Sequence, residues 1–259
     1  MKAELVHIAD EVQRAYSALP KDFGGHVEVG RGASGSATSK IDKFAEDTVL
    51  KYLDDHKVRL NVLSEEAGFV DRGADRILVL DPIDGTLNCN RGIPFFSISM
   101  AIGRSVISDC EFAVVRNLAT GDTYSARRGG GAELNGHRIG VSKYRSDDTV
   151  FIMFDGKDSD QDTQRVKLLA NRVRTMGCAS LEMCLVAKGA VQAHYMNCTN
   201  FKRMIRVVDI AASCLILREA GGDICDLQGN KLEMAFNLED RKNFLAYGDP
   251  KVKELVLRG

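Results

Sequence analysis

The fold of this chain is decided by one segment, Asp81-Pro82-Ile83-Asp84-Gly85-Thr86-Leu87-Asn88. The apolar run 77–80 comes directly before it and predicts a buried strand that ends at the proline. Asp81 would then lie at the carboxyl end of a strand, where α/β folds bind their ligands. Gly85 lets the backbone approach such a ligand closely, and Thr86 is expected to begin a helix.

The two carboxylates of this segment predict a metal site. Asp81 and Asp84 are close enough in sequence for both side chains to face one point, where they would repel each other unless a cation neutralised them. Hard oxygen ligands suit Mg²⁺, and Mn²⁺ can substitute for it. The alternative is a turn in which the carboxylates only cap the backbone, as in an isolated Asp-Pro pair. The strand before the segment favours the metal site.

Composition excludes several classes of protein. The chain has 259 residues, and its 44% hydrophobic and 27% charged residues are typical of a soluble globular protein of one large or two joined domains. A net charge of −1 provides no field for a polyanion, so we expect no nucleic-acid partner. No stretch approaches the ~18 apolar residues of a membrane span, and acidic residues near the N-terminus argue against a signal peptide. Seven cysteines without a Cys-x-x-Cys pair indicate reduced thiols, so we expect a cytoplasmic protein without a zinc site.

The residues before the motif predict two helices and a loop between them. Apolar residues at helical spacing predict helices over residues 3–19 and 40–55. Residues 21–39 are rich in Gly and Ser, which is typical of a mobile loop. Residues 30–35 match the dinucleotide fingerprint Gly-x-Gly-x-x-Gly, but they lack the buried strand and the helix start that such a site needs. We therefore predict a flexible lid rather than a dinucleotide site.

Several acidic positions stay open when only the residues are considered. Asp42 lies in the first turn of the second helix, where the helix dipole favours a negative charge and a structural role suffices. Glu65 and Glu66 follow a short predicted strand at 60–63 and can be a solvated charged turn. Their position just past a strand instead favours a contribution to the predicted metal site. Asp209 similarly opens an apolar helix, where it can be an ordinary capping residue.

The pattern of the chain changes near residue 146. Before that point, residues 94–102, 111–115 and 123–126 predict an antiparallel meander. After it strands and helices alternate, with strands predicted at 150–154 and 191–196 and helices at 160–172 and 181–187. Small residues at 177–180 open a helix and would bind an anion through free amides. We predict an N-terminal α+β half, residues 1–145, and a C-terminal α/β half, residues 146–259, with the active-site cleft between them.

Together these motifs resemble the inositol monophosphatase family. The likeness rests on Glu65-Glu66, the segment 81–88, the stretch 177–180 and Asp209-Ile210-Ala211-Ala212, and it extends from about residue 30 to about residue 226. The family is Mg²⁺-dependent and typically lithium-sensitive, and it includes archaeal-type enzymes that also hydrolyse fructose 1,6-bisphosphate. The resemblance implies a layered αβαβα sandwich, commonly assembled as a homodimer, with two or three Mg²⁺ ions.

The resemblance also assigns roles to individual residues. The metal ligands would be the Ile83 carbonyl and the carboxylates of Glu65, Asp81, Asp84 and Asp209. The residues that orient and activate the attacking water would be Asp42, Thr86 and Glu65, with Glu66 supporting Glu65. The residues that hold phosphate and line the substrate side would be Gly85, Thr86, Gly177, Cys178 and Ala179. This chemistry needs no phosphoenzyme, because metal ions acidify water and neutralise phosphate charge.

The basic segment 200–206 departs from the animal members of that family. Those enzymes have Trp at the position of Val208 and Gly at the position of Ser213, and an acidic residue that binds inositol hydroxyls where Lys202 stands. The cations of this segment can be solvated side chains. Alternatively they anchor a second substrate phosphate, and the candidates are Lys202, Arg203 and Arg206.

We therefore predict a Mg²⁺-dependent phosphatase that hydrolyses inositol monophosphate, fructose 1,6-bisphosphate or both. Its partner would be a small phosphorylated sugar or cyclitol. The second choice is a phosphatase for 3′-phosphoadenosine 5′-phosphate or NADP on the same scaffold. A sugar-phosphate or dinucleotide binding protein without catalysis is the alternative from another class, but converging carboxylates argue against it.

Overall fold

Two large β-sheets with helices on their faces form the fold. The computed structural model describes residues 1–20, 23–33, 35 and 37–258. In these residues the helices are α1 (Lys2–Ser17), α2 (Lys40–Asp55), α3 (Thr86–Asn90), α4 (Asp162–Lys167), α5 (Ala179–Ala187), α6 (Val207–Glu219) and α7 (Pro250–Leu257). The strands are β1 (Glu28–Arg31), β2 (Ala37–Ser39), β3 (Asn61–Ser64), β4 (Gly68–Val70), β5 (Ile77–Asp84), β6 (Ser97–Gly103), β7 (Phe112–Asn117), β8 (Thr123–Arg127), β9 (Gly131–Leu134), β10 (His137–Arg138), β11 (Val150–Met153), β12 (Arg172–Arg174), β13 (Ala193–Met196), β14 (Asp223–Cys225) and β15 (Phe244–Tyr247).

The first sheet has eight strands in the order β10-β9-β8-β7-β6-β5-β3-β4. Its neighbouring strands are antiparallel except β3 and β5, which run parallel. In that parallel pair Ser64 lies opposite Leu80. Glu65, the residue after the end of β3, and Asp81, which lies within β5, are therefore side by side at one edge of the sheet.

The second sheet has five strands in the order β12-β11-β13-β15-β14. Strands β12, β11 and β13 are parallel, and β15 is antiparallel to both of its neighbours. Strand β11 is fully buried over residues 151–153, as expected for a strand that has another strand on each side and helices on its faces.

Three apolar cores separate the layers of the molecule. Side chains of β5 alternate, so that Leu78 and Leu80 pack with α1 and α2 while Val79 faces the opposite side of the sheet. Helices α5 and α6 fill the space between the two sheets, and α6 is buried around its whole circumference. Helices α4 and α7 cover the far face of the second sheet. The order helix, sheet, helix, sheet, helix confirms the predicted layered architecture.

Strand β5 continues through the motif instead of ending at Pro82 as predicted. Asp81 lies opposite Ser99 and Asp84 lies opposite Ser97, so β5 has one residue more than β6 over this span. That extra residue forms a bulge, where a proline without an N–H is tolerated. The bulge lets the strand carry both Asp81 and Asp84.

Other predicted elements also need correction. Helix α4 is shorter than the predicted 160–172, because residues 172–174 pair with β11 as a strand. Within the predicted mobile loop, β1 and β2 form an antiparallel hairpin. Parts of that loop, at 21–22 and at positions 34 and 36, lie outside the described residues, as does Ser34 of the predicted fingerprint. The role of a lid stays a prediction.

The predicted division at residue 145 falls between β10 and β11. Helix α6 of the C-terminal half packs on strands β5 to β9 of the first sheet, so the two halves share one core. Their status as separate domains stays a prediction. All seven cysteines carry free thiols, as predicted. None of the described helices is both long and apolar enough to cross a membrane.

Candidate active site

Three carboxylates meet where β3 ends beside the bulge of β5. One carboxylate oxygen each of Glu65, Asp81 and Asp209 lies within 4.8 Å of the other two. Glu65 and Asp81 arrive from the parallel strands, and Asp209 arrives from the first turn of α6. Asp81 and Asp209 are buried. The structure therefore brings together three of the four predicted carboxylate ligands, which we call the carboxylate cluster.

The carboxylate cluster has an excess of negative charge. Burial raises the pKa of Glu65 to about 7, with Arg206 acting against the shift and Asp209 adding to it. Burial also raises the pKa of Asp81, and the charges of its acidic neighbours raise it further. Both shifts arise because a charged form is disfavoured away from water and next to like charges. A cation among these oxygens would stabilise the charged carboxylates and so oppose both effects on the pKa.

Arg206 supplies part of the missing positive charge. Its Nη1 donates to Glu65 Oε1, and its Nη2 donates to Asp209 Oδ1 at 2.9 Å. Burial disfavours its charge, but Asp209 and Glu65 together raise the pKa of Arg206 above its ordinary value. Arg206 reaches both acids because it precedes α6, only one helical turn before Asp209. The sequence predicts Arg206 as an anchor for a second phosphate, whereas the structure places it on two predicted metal ligands.

Asp209 combines the two interpretations that the sequence leaves open. Its Oδ2 accepts from the Arg206 amide at 2.8 Å, which satisfies a free N–H at the start of α6. The same carboxylate belongs to the carboxylate cluster. Capping therefore fixes the orientation of this predicted ligand.

Asp84 points to a different set of partners. Its Oδ2 accepts from the Ser180 amide at 2.7 Å and from the Ser180 hydroxyl at 2.5 Å, and Cys178 Sγ lies 3.2 Å from the same oxygen. Asp84 is not part of the group of acids found within 4.8 Å of one another in the described residues. Its role as a metal ligand stays a prediction. The same holds for the Ile83 carbonyl, whose oxygen lies 2.9 Å from Thr86 Oγ1 and shares that hydroxyl with Asp42.

Asp42 connects the start of α2 to the motif. Its Oδ2 accepts from the amide and the hydroxyl of Ser39 at 3.1 and 2.6 Å, which caps the helix. Its Oδ1 accepts from the Thr86 hydroxyl at 2.9 Å. Burial raises the pKa of Asp42. The structural and catalytic interpretations are thus compatible, because the cap holds the carboxylate against Thr86.

The turn that carries Glu65 is anchored by a residue that the sequence analysis missed. Glu46 of α2 is buried and accepts from the Ser64 hydroxyl and, at 2.8 Å, from the Ala67 amide. These bonds fix both ends of the turn. An acidic residue on the apolar side of a helix is the local signal that could have identified Glu46.

Glu66 connects the same turn to the β1–β2 hairpin. It accepts from the Thr38 hydroxyl, and its carbonyl accepts from the Ala33 amide at 2.8 Å. Burial raises the pKa of Glu66 to about 7. A side chain at Gly32 would collide with the Glu66 carboxylate, so the hairpin needs a glycine to approach this closely. The predicted support of Glu65 by Glu66 is untested by these contacts.

A pocket of about 350 Å³ opens beside the carboxylate cluster. Its lining includes Asp84, Asp209 and six of the eight residues predicted to bind substrate, namely Gly177, Cys178, Ala179, Lys202, Arg203 and Arg206. The other two, Gly85 and Thr86, are not among the described residues that line it. The Arg203 guanidinium lies 3.2 Å from Asp158. Lys202 is exposed, and no ion pair involves it in the part of the chain that the structure describes. Of the three cations, Lys202 is therefore the most available to a ligand.

The backbone before α5 is less open to an anion than predicted. The amides of Met176 and Gly177 donate to Glu182 Oε1 at 2.8 and 3.0 Å, and the Ser180 amide donates to Asp84. The prediction of free amides is thus wrong for Gly177 and Ser180. The sequence analysis missed Glu182, and it did not predict that Ser180, within the stretch 177–180, meets Asp84 across 96 positions of sequence, which no local pattern encodes.

A larger cavity of about 540 Å³ lies between the end of α1 and residues 23–26. Among the described residues its lining contains no carboxylate, lysine or arginine. A phosphate ester would find neither a cation nor a site for a metal there. We therefore assign the chemistry to the pocket beside the carboxylate cluster.

Comparison with known proteins places this arrangement in a family. Residues 2–257 match the model of the inositol monophosphatase family. A fructose-1,6-bisphosphatase/inositol-1-monophosphatase of Archaeoglobus fulgidus is 36% identical over 259 residues, covering 96% of this chain and 95% of the relative. A bifunctional NADP phosphatase/NAD kinase of Methanococcus maripaludis is 33% identical over 278 residues, covering 97% of this chain and 48% of that protein. The crystal structure of an inositol monophosphatase–fructose 1,6-bisphosphatase superposes with a TM-score of 0.86 at 33% identity, covering 100% of this chain and 99% of the other.

Proposed function

The chain belongs to the inositol monophosphatase family, and on this basis we propose that it is a Mg²⁺-dependent phosphatase for inositol monophosphate and fructose 1,6-bisphosphate. Membership of this family makes it a phosphatase. The observation that carries the proposal is the carboxylate cluster next to the Asp42–Thr86 hydrogen bond. Metal ligands and a group that activates water are both required for direct attack of water on a phosphate monoester.

The residues of the carboxylate cluster fit a hard divalent cation. Their side chains offer only oxygen, which suits Mg²⁺ and its substitute Mn²⁺. Glu65, Asp81 and Asp209 would hold the metal, and Asp84 and the Ile83 carbonyl would extend the site to two or three ions. When bound, Mg²⁺ would neutralise phosphate charge and acidify the attacking water.

The protein itself would orient water and move its proton. The Thr86 hydroxyl donates to Asp42 at 2.9 Å, and in this proposal the attacking water would contact the same hydroxyl. As water attacks phosphorus, the bond from phosphorus to the ester oxygen breaks, and the released alkoxide takes a proton from solvent. The proton of the attacking water passes to Thr86 Oγ1 while the Thr86 proton passes to Asp42, so the threonine is unchanged overall. The raised pKa of Asp42 suits it to receive that proton. Glu65 would help to orient the water.

The substrate would extend from this point into the pocket. We propose that the amides of Gly85 and Thr86 hold the phosphate and that Cys178 and Ala179 line the substrate side. Lys202 and Arg203 lie on the pocket lining, where a second phosphate would be neutralised by a cation. This supports fructose 1,6-bisphosphate beside inositol monophosphate, in accord with the two activities named for the relative from Archaeoglobus fulgidus.

NADP or 3′-phosphoadenosine 5′-phosphate is the second candidate for the substrate. The relative from Methanococcus maripaludis is named for NADP phosphatase and NAD kinase activities, and this chain spans about half of its length. Both candidates share the metal chemistry and differ in the group that occupies the pocket. We further propose a cytoplasmic homodimer without a nucleic-acid or membrane partner.

Phosphate release tests these proposals directly. Inositol 1-phosphate, fructose 1,6-bisphosphate, NADP and 3′-phosphoadenosine 5′-phosphate are each incubated with the protein, with and without Mg²⁺. We expect Mg²⁺-dependent release from the first two, and incorporation of one solvent oxygen-18 into the phosphate. Faster release from NADP would favour the second candidate, and binding without any release would make the chain a non-catalytic binding protein. A trapped phosphoenzyme would contradict direct attack by water.

A further inference from the structure

Glu182 is a buried acid on the wall of a pocket that we propose for anionic substrates. It lies in the first turn of α5, is 5% exposed and lines the pocket beside Asp84 and His194. A carboxylate in this place would repel a phosphate ester unless its charge were already used by the protein. The hydrogen bonds of Glu182 therefore indicate its role in the pocket.

The contacts of Glu182 are made with the backbone just before its own helix. Oε1 accepts from the amides of Met176 and Gly177 at 2.8 and 3.0 Å. Gly177 has a φ of 76°, in the left-handed region that favours glycine. One oxygen thus holds two consecutive amides, which defines the bend by which the chain enters α5.

This bend is packed against the motif from β5 and α3. The side chain of Asn88 donates to the Met176 carbonyl at 2.7 Å and to the Phe95 carbonyl at 2.8 Å. A Cβ built at Gly85 would lie 3.1 Å from the Cβ of Cys178 and 3.2 Å from the Gly177 carbonyl. The bend held by Glu182 is consequently in direct contact with the turn that is proposed to hold the phosphate.

The second carboxylate oxygen of Glu182, Oε2, lies next to a histidine. Oε2 lies 3.4 Å from Nε2 of the buried His194, and burial lowers the pKa of His194 to about 3, so the imidazole is neutral. The bonds to two amides and the burial leave Glu182 poorly placed to bind an anion or to act as a general base.

We propose that Glu182 is a positioning residue for the hydrolysis, fixing residues 176–178 so that the substrate side of the pocket is preformed. This inference rests on the proposed phosphatase function. It predicts that loss of the carboxylate weakens substrate binding and leaves the chemical step largely intact, because the carboxylate cluster and the Asp42–Thr86 pair lie on other elements.

Kinetics of Glu182→Ala and Glu182→Gln test the proposal. In Glu182→Ala two buried amides lose their acceptor, and we expect KM for inositol 1-phosphate to rise about tenfold or more while kcat stays within about threefold. In Glu182→Gln the side-chain carbonyl can still accept from both amides, and we expect KM to stay within about threefold of the wild type. If Glu182→Ala does not fold, Glu182→Asp withdraws the carboxylate from the amides and is expected to raise KM in the same way.

Glu219 provides a matched control. Its carboxylate accepts from the amides of Gly129 and Gly131 at 2.8 and 2.7 Å, outside the pocket. Glu219→Ala should lower the melting temperature and leave KM unchanged. Equal changes of KM in the Glu182→Ala and Glu219→Ala variants would show that Glu182 has only a structural role. If KM rises as much in Glu182→Gln as in Glu182→Ala, Glu182 would instead contact the substrate directly. Either result overturns the proposal, as does an unchanged KM in Glu182→Ala. A wild type without any phosphatase activity would instead refute the proposed function.

Discussion

The carboxylate cluster, through Asp209, and the basic segment 200–206 line the same pocket but differ in how they are fixed. Glu65 follows β3, Asp81 lies within the neighbouring parallel strand β5, and Asp209 is fixed by capping its own helix. Lys202 and Arg203 lie instead in a short turn at the surface. Backbone hydrogen bonds and helix caps fix the positions of the carboxylates in the first region. The charged groups of the second region lie on long side chains that have several rotamers.

Despite this difference, an ion pair between opposite charges connects the two regions. Arg206 belongs to the basic segment by sequence, yet its guanidinium binds two acids of the carboxylate cluster. A cation that the sequence suggests for the substrate is thus also a competitor for metal ligands. The following variants test each side of the comparison.

The largest effect is expected from the carboxylate cluster itself. Asp81→Asn removes one charge from the proposed metal ligands, and we expect kcat/KM to fall at least about a thousandfold with the fold retained. The stabilisation of the wild type by Mg²⁺ in thermal melts should be much smaller in the variant. Asp109→Asn is the control, because the hydrogen bonds that Asp109 accepts from described residues all come from its own surface turn. Near wild-type turnover in Asp81→Asn would exclude Asp81 as a metal ligand. The variant Asp84→Asn tests Asp84, the fourth predicted carboxylate ligand, in the same way.

The Asp42–Thr86 pair should affect the chemical step rather than binding. Thr86→Ala is expected to lower kcat about 100- to 1,000-fold with little change in KM, because it removes the hydroxyl between water and Asp42. Thr86→Ser keeps the hydroxyl and should retain most of the activity. The double variant Asp42→Asn/Thr86→Ala should be no slower than the slower single variant, since the two residues act as a unit. A loss confined to KM would make Thr86 a phosphate anchor only.

Arg206 is expected to set the metal affinity. Arg206→Met removes charge-assisted bonds that compete with a cation for Glu65 and Asp209, so the affinity for Mg²⁺ should rise about tenfold or more. Calorimetric titration with Mg²⁺ measures this without any substrate. Arg203→Met is the matched control, because Arg203 pairs with Asp158 instead. An unchanged or weaker affinity in Arg206→Met would show that the guanidinium does not compete with the metal.

The smallest effect is expected in the basic segment and separates the substrates. Lys202→Ala should lower kcat/KM for fructose 1,6-bisphosphate up to about tenfold and leave inositol 1-phosphate nearly unchanged, because only the bisphosphate has a second phosphate. Arg203→Ala should have a smaller effect because its guanidinium is already paired. Both variants are assayed at one ionic strength. Lys51→Ala is the control, because Lys51 pairs with Asp55 on the exposed face of α2. Equal changes on both substrates, or none, would make the segment a solvated surface.

The patterns of the sequence predicted an α+β half, an α/β half and the positions of the acids, and the resemblance to the inositol monophosphatase family implied the layered fold. Period-two and helical patterns predict buried strands and amphipathic helices, and Asp81 follows from the apolar run before it. For Asp42 and Asp209 the sequence left capping and catalysis as alternatives, and the structure shows that each cap orients a carboxylate toward the site. Such features are local, so a sequence pattern can express them.

Only the tertiary structure decided what surrounds those acids. The bulge in β5, the bond between Ser180 and Asp84 and the position of Arg206 depend on elements that are distant along the chain or on the rotamer of a long side chain. Glu182 looks like an ordinary acid in the first turn of a helix until the bend before α5 is seen packed against Gly85. Sequence patterns describe the periodicity within one element, whereas these contacts arise when α5 and α6 are packed between two sheets.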